Sequence, residues 1–467
     1  MKRCLLLAVV LCALWSAGCT PNPGPSASPA PETTAPTTTD KNYNILLVSF
    51  DAMRARETSL YNPSLDTTPN LKKFAEGAVV FDNAIAPSSW TLPSTLAIFT
   101  GLYPSRHGVT NKLTVPDGKD ATLAAETTTL PQLLKKAGYT LAAFTGDAGV
   151  SARFGYGRDF EVFVDDLKFG SFDHSMPLAE AWLENNKDKK FFMFLHGYDC
   201  HGQHDPAGGY QRTYAKDYKG KLQGDKVEQG KFRELALKHK LDDGKSLEPH
   251  LNESEFSKAD ARFYLALYQE KIRLADEKFA KFLKKMDALG LTDKTIFVLV
   301  ADHGEEFMEH GNIDHGPTLY QEMIHVPLVI KIPGMAPKRI ETRVSTLDAL
   351  PTVLAWLGIQ MPANLDGLSL LPLMEGQPMP DRKVLSETDY RLYSHKRAYL
   401  KDNYKLIVSL DNNRRELYDL KADPEETRNL ISEQPDLAFE MEKSINQFVM
   451  DMPHKPPVGK GSQITVY

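Results

Sequence analysis

The chain has 467 residues, with 55 Lys and Arg against 61 Asp and Glu for a formal net charge of −6, and it is 42% hydrophobic and 25% charged. That length exceeds one ordinary core, so a large domain with an appended piece is expected. The composition is that of an ordinary soluble protein and lacks the basic footprint of a nucleic-acid binder, so no nucleic-acid partner is expected.

Lys2 and Arg3 precede an apolar run, Leu5 to Trp15, that is too short to span a bilayer. The run ends in "SAGC", which resembles a bacterial lipoprotein processing signal over residues 1–19 with Cys19 as the lipidated residue. Ser16 stands where Leu is more usual, which leaves plain secretion open. Residues 20–40 are a Pro/Ser/Thr-rich tether with nothing to bury. The expectation is an exported, membrane-anchored protein, periplasmic or on the cell surface. Cys4 and Cys12 would leave with the signal, so Cys200 stands alone and no internal disulfide is expected.

From Asn42 apolar strand-like runs alternate with amphipathic helices, which predicts an α/β body over 41–379: a mainly parallel central sheet flanked by helices. "YNILLVSFD" reads as a buried strand ending in Asp51. "TTTLPQLLKKAGYTLAAFTGD" reads as a helix from near Pro131, stopped by Gly138, then a strand through Phe144. "KKFFMFLHGYD" is a strand with His196 at its end, and a charged insertion of about 205–260 follows. Tyr264, Tyr268, Ile272, Ala275, Phe279, Phe282 and Met286 then recur at helical spacing as a core stripe, closed by Gly290. "KTIFVLVADHGEE" is a strand running into Asp302 and His303, and "HVPLVIKIPG" is a fifth. A small α+β piece is expected over 380–467. Ligands of open α/β sheets bind outside the carboxyl ends of the strands. Asp51, His196, Asp302 and His303 all fall at such ends, which sends them toward one cleft.

Taken alone, Asp51 is more ordinarily a helix N-cap than a ligand. The Asp302-His303 pair offers one hard oxygen and one nitrogen, a set suited to Zn or Mn. Glu305, Glu306, Glu309 and His310 add further candidates in one short loop. In "APSSWTLPSTLAIFTG", Pro93 placed in the first helical turn sets Thr91 at the positive end of a helix, which favours anions. A threonine hydroxyl is a poor nucleophile unless a divalent metal lowers its pKa. Asp51, Thr91, Asp302 and His303 make a four-ligand set in which one ligand also attacks.

"NILLVSFDAMR", "LDTTPNLKKFAEGAVVFDNAIAP", "FTGLYPSRHGV", "ADHGEEFMEHG" and "VPLVIKIPG", in that order, resemble the sulfatase branch of the alkaline phosphatase superfamily; "STLDALPTVLAWLGIQMPANLDGLSLLPLMEG" and "RELYDLKADPEETRNL" resemble its C-terminal signatures. The resemblance implies an alkaline-phosphatase-like sandwich and a metal-dependent ester hydrolase. It also exposes departures. Formylglycine sulfatases carry Cys or Ser followed by x-Pro-x-Arg, where this chain has Thr91, Pro93 and Thr95. Threonine, with a methyl on its β-carbon, cannot give the aldehyde. Asp51-Ala52 and Asp302-His303 replace the two-Asp and Asp-Asn pairs of calcium-binding members, which moves the preference from Ca²⁺ toward Zn²⁺ or Mn²⁺. Threonine with an Asp-His pair is similar to the phosphoethanolamine transferases and lipoteichoic acid synthases of the superfamily.

The same resemblance places His201, in "FLHGYDCHGQHDP", on the substrate anion and at the leaving oxygen, with His196, Asp199 and His204 beside it. It places His315, in "NIDHGPTLYQE", where sulfatases have an anion-binding Lys; alternatively the histidines hold a second metal. Arg54 is assigned a supporting role, and Arg106 and His107 pin the end of the Thr91 helix. The expected substrate is an anionic ester on a phospho- or sulfo-substituted glycan, lipid or small molecule. The expected activity is hydrolysis or transfer of phosphate esters or diesters. Sulfate-ester hydrolysis without formylglycine, and a non-catalytic anion- or glycan-binding lipoprotein, are the alternatives.

Overall fold

The structure is a computed structural model, and it describes residues 41–114, 118–202, 204, 212–225, 227–231, 234, 257–379, 382–391 and 393–450. The signal, the Cys19 anchor, the tether and most of the charged insertion lie outside the described residues. The described residues from Asn42 onward form one compact unit.

Its centre is an eight-stranded sheet with the spatial order Lys338–Ile340, Val79–Phe81, Leu328–Lys331, Thr295–Ala301, Asn44–Phe50, Phe191–Gly197, Thr140–Phe144, Val162–Val164. Leu328–Lys331, the run that reads as a fifth strand, is antiparallel to both neighbours, while every other pairing is parallel. The three central strands are buried along their whole length, as strands covered on both faces must be.

Because side chains alternate, each central strand feeds two cores. Leu46, Val48 and Phe50 point to the layer of the long helix Lys258–Ala288, with Tyr264, Tyr268, Ile272, Phe279 and Met286 of its stripe. Ile45 and Leu47 point to the layer of the helix Thr91–Thr100, with Leu92, Leu96 and Phe99. The long helix opens on a Ser257–Asp260 capping box, inside the stretch that reads as insertion. Gly290 follows it with φ 66°, a left-handed conformation that glycine adopts without steric cost.

Val384–Tyr390, Ser394–Lys401, Tyr404–Ser409 and Arg415–Asp419 form a four-stranded antiparallel sheet in sequence order. The helix Pro435–Met450 buries Ala438, Met441 and Ile445 in the same core as Leu406 and Leu417. This small α+β piece is tied to the larger α/β body by Ser105, whose backbone N and hydroxyl donate to Glu387 Oε1 at 2.7 and 2.8 Å. Buried Arg397 neutralises Glu387 at 3.0 Å and Asp389 at 2.9 Å. Cys200 is a free, buried thiol.

Candidate active site

Three strand ends and one helix start converge. Asp51 follows Asn44–Phe50, His196 closes on Phe191–Gly197, and Asp302 and His303 follow Thr295–Ala301. Main-chain pairing puts Phe50 beside both Gly197 and Ala301, which sets the three ends level. Thr91 is the first residue of its helix, and Trp90 occupies the cap. The Thr91 hydroxyl lies 3.1 Å from Asp51 Oδ2, to which it donates, and 3.2 Å from His303 Nε2.

The remaining hydrogen bonds show which atoms lack partners. Asp302 Oδ1 accepts from the backbone N of Ala52 at 3.1 Å and of His303 at 2.9 Å. His303 Nδ1 meets the Gly304 carbonyl at 2.7 Å. A carbonyl only accepts, so Nδ1 carries the proton and Nε2 turns its lone pair to the centre. The one hydroxyl proton of Thr91 is already given to Asp51. Among the described residues, Asp51 Oδ1, Asp302 Oδ2 and both nitrogens of His196 are buried without a hydrogen-bond partner. Asp51 does not cap a helix; its carboxylate faces this centre.

Unpartnered buried polar atoms each cost about 1–3 kcal/mol. Several acceptors gathered on one point are relieved by a cation. Asp51, His196 and Asp302 offer ligand atoms that all lie within 4.8 Å of one another. His196 Nε2 is 3.7 Å from Asp51 Oδ2, and His303 Nε2 is 3.7 Å from Asp302 Oδ2. The residues fit a divalent metal. The four-ligand set expected from the sequence omits His196, although its place at a strand end points to this cleft.

Burial, and then the Asp302 charge, push the Asp51 carboxyl well above its usual range. Burial lowers His196 and His303 to about 4 each, which leaves both neutral at physiological pH. Burial acts to lower His315 as well, but Asp314 and Glu305 more than reverse it and hold the ring protonated. Its Nδ1 lies 2.9 Å from Asp314 Oδ1 and 3.3 Å from Glu305. His201 is depressed by burial and by the His315 charge, and its Nδ1–H is used by the Gly202 carbonyl. The His201 ring stands 4.9 Å from that of His315, which is 4.5 Å from that of His303.

Thr91, His201 and His315 line one cavity of about 350 Å³, walled by Trp90, Phe169, Tyr198 and Tyr390. The turn at Asp147 to Val150 closes over Thr91. Tyr198 Oη accepts from Gly149 N and donates to the Asp147 carbonyl, both at 2.9 Å.

Of Glu305, Glu306, Glu309 and His310, the loop candidates, Glu305 is the one that reaches the site, through His315. Glu309 holds Arg54 at 2.7 Å, and Arg54 also donates to the Glu305 carbonyl, so that buried guanidinium braces the loop. Glu306 accepts from Thr318 at 2.8 Å, and His310 pairs with Glu322 while stacking on Tyr320. Gly304 is required less for its torsions than for space, because a Cβ there would overlap the Glu322 carbonyl. His204 Nε2 is 3.8 Å from Glu305. His107 lies 3.1 Å from the Pro93 carbonyl, so it pins the start of the Thr91 helix and not its end. Arg106 pairs with Asp366 at 3.2 Å.

A sequence profile of the sulfatase family matches residues 43–359. The chain belongs to the sulfatase family. A second profile, the C-terminal part of N-sulphoglucosamine sulphohydrolase, matches residues 308–451 of this sulfatase-family chain. Among curated relatives, arylsulfatase K of Xenopus laevis is 26% identical, covering 87% of this chain and 82% of its own. The Delta 4,5-hexuronate-2-O-sulfatase of Bacteroides thetaiotaomicron is 24% identical, covering 84% and 85%. Among solved structures, one in complex with its substrate D-glucosamine-2-N,6-O-disulfate matches with TM-score 0.70 at 21% identity, covering 90% and 99%. The phosphonate monoester hydrolase of Agrobacterium radiobacter matches with TM-score 0.69 at 18% identity, covering 87% and 95%. The fold is thus the alkaline-phosphatase-like sandwich of the family.

Proposed function

We propose that Thr91 carries the ester-hydrolase activity of this sulfatase-family chain, and that phosphate esters, diesters above all, are its preferred substrates. The observation that supports the reading is the Thr91 hydroxyl at a helix start, 3.1 Å from Asp51 and 3.2 Å from the His303 lone pair. Asp51, His196, Asp302 and His303 would hold a divalent cation beside it, and the imidazoles favour Zn²⁺ or Mn²⁺ over Ca²⁺. A cation bound there supplies positive charge that acidifies a neighbouring hydroxyl and stabilises anionic oxygens.

The chain's own groups divide the remaining work. The ester anion lies against the helix start and the His315 cation. Thr91 Oγ1 attacks phosphorus as its proton leaves toward Asp51, and the bond to the leaving oxygen breaks. His315, the protonated ring, gives that oxygen its proton. The family resemblance assigns this role to His201, but His201 is neutral with Nδ1–H engaged, so its Nε2 is an acceptor. His201 therefore takes the proton of the water that releases the Thr91 ester. An ordinary alcohol has no second hydroxyl on its reacting carbon, so release proceeds by attack at the central atom, a route phosphoryl groups accept readily.

The test is Thr91→Ala with acid-quenched mass spectrometry of the Thr91 peptide. A phosphorylated peptide in wild type and at least about 10³-fold loss of turnover in the variant are expected. Full turnover in Thr91→Ala removes Thr91 as nucleophile. Sulfate-ester hydrolysis is the second reading, favoured by the sulfatase names of the curated relatives. Matched 4-nitrophenyl phosphate, methyl phosphate and sulfate esters separate the two by rate, and glycans carrying such groups are the natural substrate class in either case. Export with a lipid on Cys19 completes the proposal, and fatty-acid labelling abolished by Cys19→Ala is its check.

A further inference from the structure

The proposed reaction uses the floor of the Thr91 cavity and leaves its walls and mouth without a role. At the mouth stand Lys112 and Arg391, both exposed and both lining the same cavity as Thr91. Among the described residues neither makes an ion pair with a carboxylate. Partial burial and then the positive charges of Arg391, Arg153 and Lys168 lower the Lys112 ammonium, against the opposing charge of Asp147. Like charges that outnumber the acid beside them repel one another, and an anion placed among them is attracted.

A row of cations is often only a solvated face, but here the backbone argues further. Ala148, Phe169 and Arg391 line this cavity with φ of 55°, 58° and 48°, left-handed conformations that residues bearing a Cβ seldom adopt. Such strain persists only where surroundings enforce it, and it gathers at ligand sites. It turns Phe169 edge-on to Tyr198, at 5.3 Å, and sets Arg391 4.9 Å over the Tyr390 ring. The aromatic wall thus shares one cavity with the Thr91 hydroxyl and the two cations, and Arg391 rests on one of its rings.

We propose that Lys112 and Arg391 form a subsite for a second anionic group of the substrate, and that the aromatic wall receives the ring joining it to the scissile ester. The substrate class is then a sugar-like ring bearing two anionic ester groups, one cleaved at Thr91 and one held at the mouth. This rests on the reading of Thr91 as the reacting group, and the test keeps the two apart. Calorimetry measures binding of glucose 1,6-bisphosphate and of glucose 6-phosphate to wild type, to Lys112→Ala/Arg391→Ala and to Thr91→Ala.

Wild type and Thr91→Ala are expected to favour the bisphosphate by about tenfold at low salt. The double charge variant is expected to bring that ratio near unity, and Lys112→Arg to keep it. Raising the salt toward 1 M should shrink the wild-type ratio. No preference in wild type, or an undiminished ratio in the double variant, overturns the subsite. Phosphate release at equal rates by wild type and Thr91→Ala instead overturns the role of Thr91, and the binding ratio then decides the subsite by itself.

Discussion

Gly149→Ala tests how the Thr91 hydroxyl, the proposed nucleophile, is aimed. A Cβ on Gly149 would stand 2.9 Å from Thr91 Cβ and 3.0 Å from its Cγ2, against the roughly 3.5–4.0 Å of ordinary carbon contacts. Rotation of Thr91 about χ1 relieves the second overlap and not the first, since Cβ does not move. The turn must therefore lift, at the expense of the Gly149 N–H bond to Tyr198 Oη at 2.9 Å. Overpacking of this kind costs about 1–3 kcal/mol, and each 1.4 kcal/mol lost from the reacting geometry is about tenfold in rate. The expected result is a fall in kcat of about tenfold or more, measured on a 4-nitrophenyl ester, with lowered urea stability. Adding Thr91→Ser removes the Cγ2 overlap and should restore part of the stability. Gly230→Ala is the control, because its methyl would meet nothing within 4 Å. Wild-type kcat in a destabilised Gly149→Ala protein would show that the turn does not aim Thr91 and would refute the reasoning.

Burial lowers His107 to about 4 from its ordinary 6.5, so the unfolded chain takes up that proton first as pH falls. Stability should drop by about 2 kcal/mol between pH 7 and pH 5 on this account alone, and urea titrations of wild type and His107→Gln at both pH values measure the difference. Lys405 and Glu426 are a fully buried pair at 2.5 Å. Lys405→Met strands the carboxylate and should cost about 3–5 kcal/mol, of which Lys405→Met/Glu426→Gln recovers the larger part; equal losses in both proteins would contradict a charge-based origin. Asp302→Asn removes one of two facing buried carboxylates. It should raise the melting temperature of chelator-treated protein while lowering bound metal, counted by elemental analysis; unchanged metal content would exclude Asp302 as a ligand.

What sequence can convey here follows from the range of each interaction. The strands ending in Asp51, His196 and Asp302 are legible because burial on both faces writes continuous apolar runs, and the Lys258–Ala288 stripe is legible because one helix face must be apolar. The direction of Leu328–Lys331 is not, since an apolar run reads the same in either orientation. A donor set built from adjacent residues and the family pattern favours His303 over His196. Only the pairing of Phe50 with Gly197 brings His196 level with Asp51. The exchange of roles proposed for His201 and His315 has the same origin. Both are lone loop histidines in sequence, and their protonation is decided by what folding places around them: two carboxylates beside His315, and burial with the His315 charge around His201. Gly149 shows the limit most plainly. Nothing in "GDAGV" tells a spacer from a residue whose missing methyl leaves room for the threonine 58 positions earlier. The reactivity proposed for Thr91 is therefore a property of enclosure: a neighbour that is absent, a lone pair that is aimed, and carboxylates buried from water.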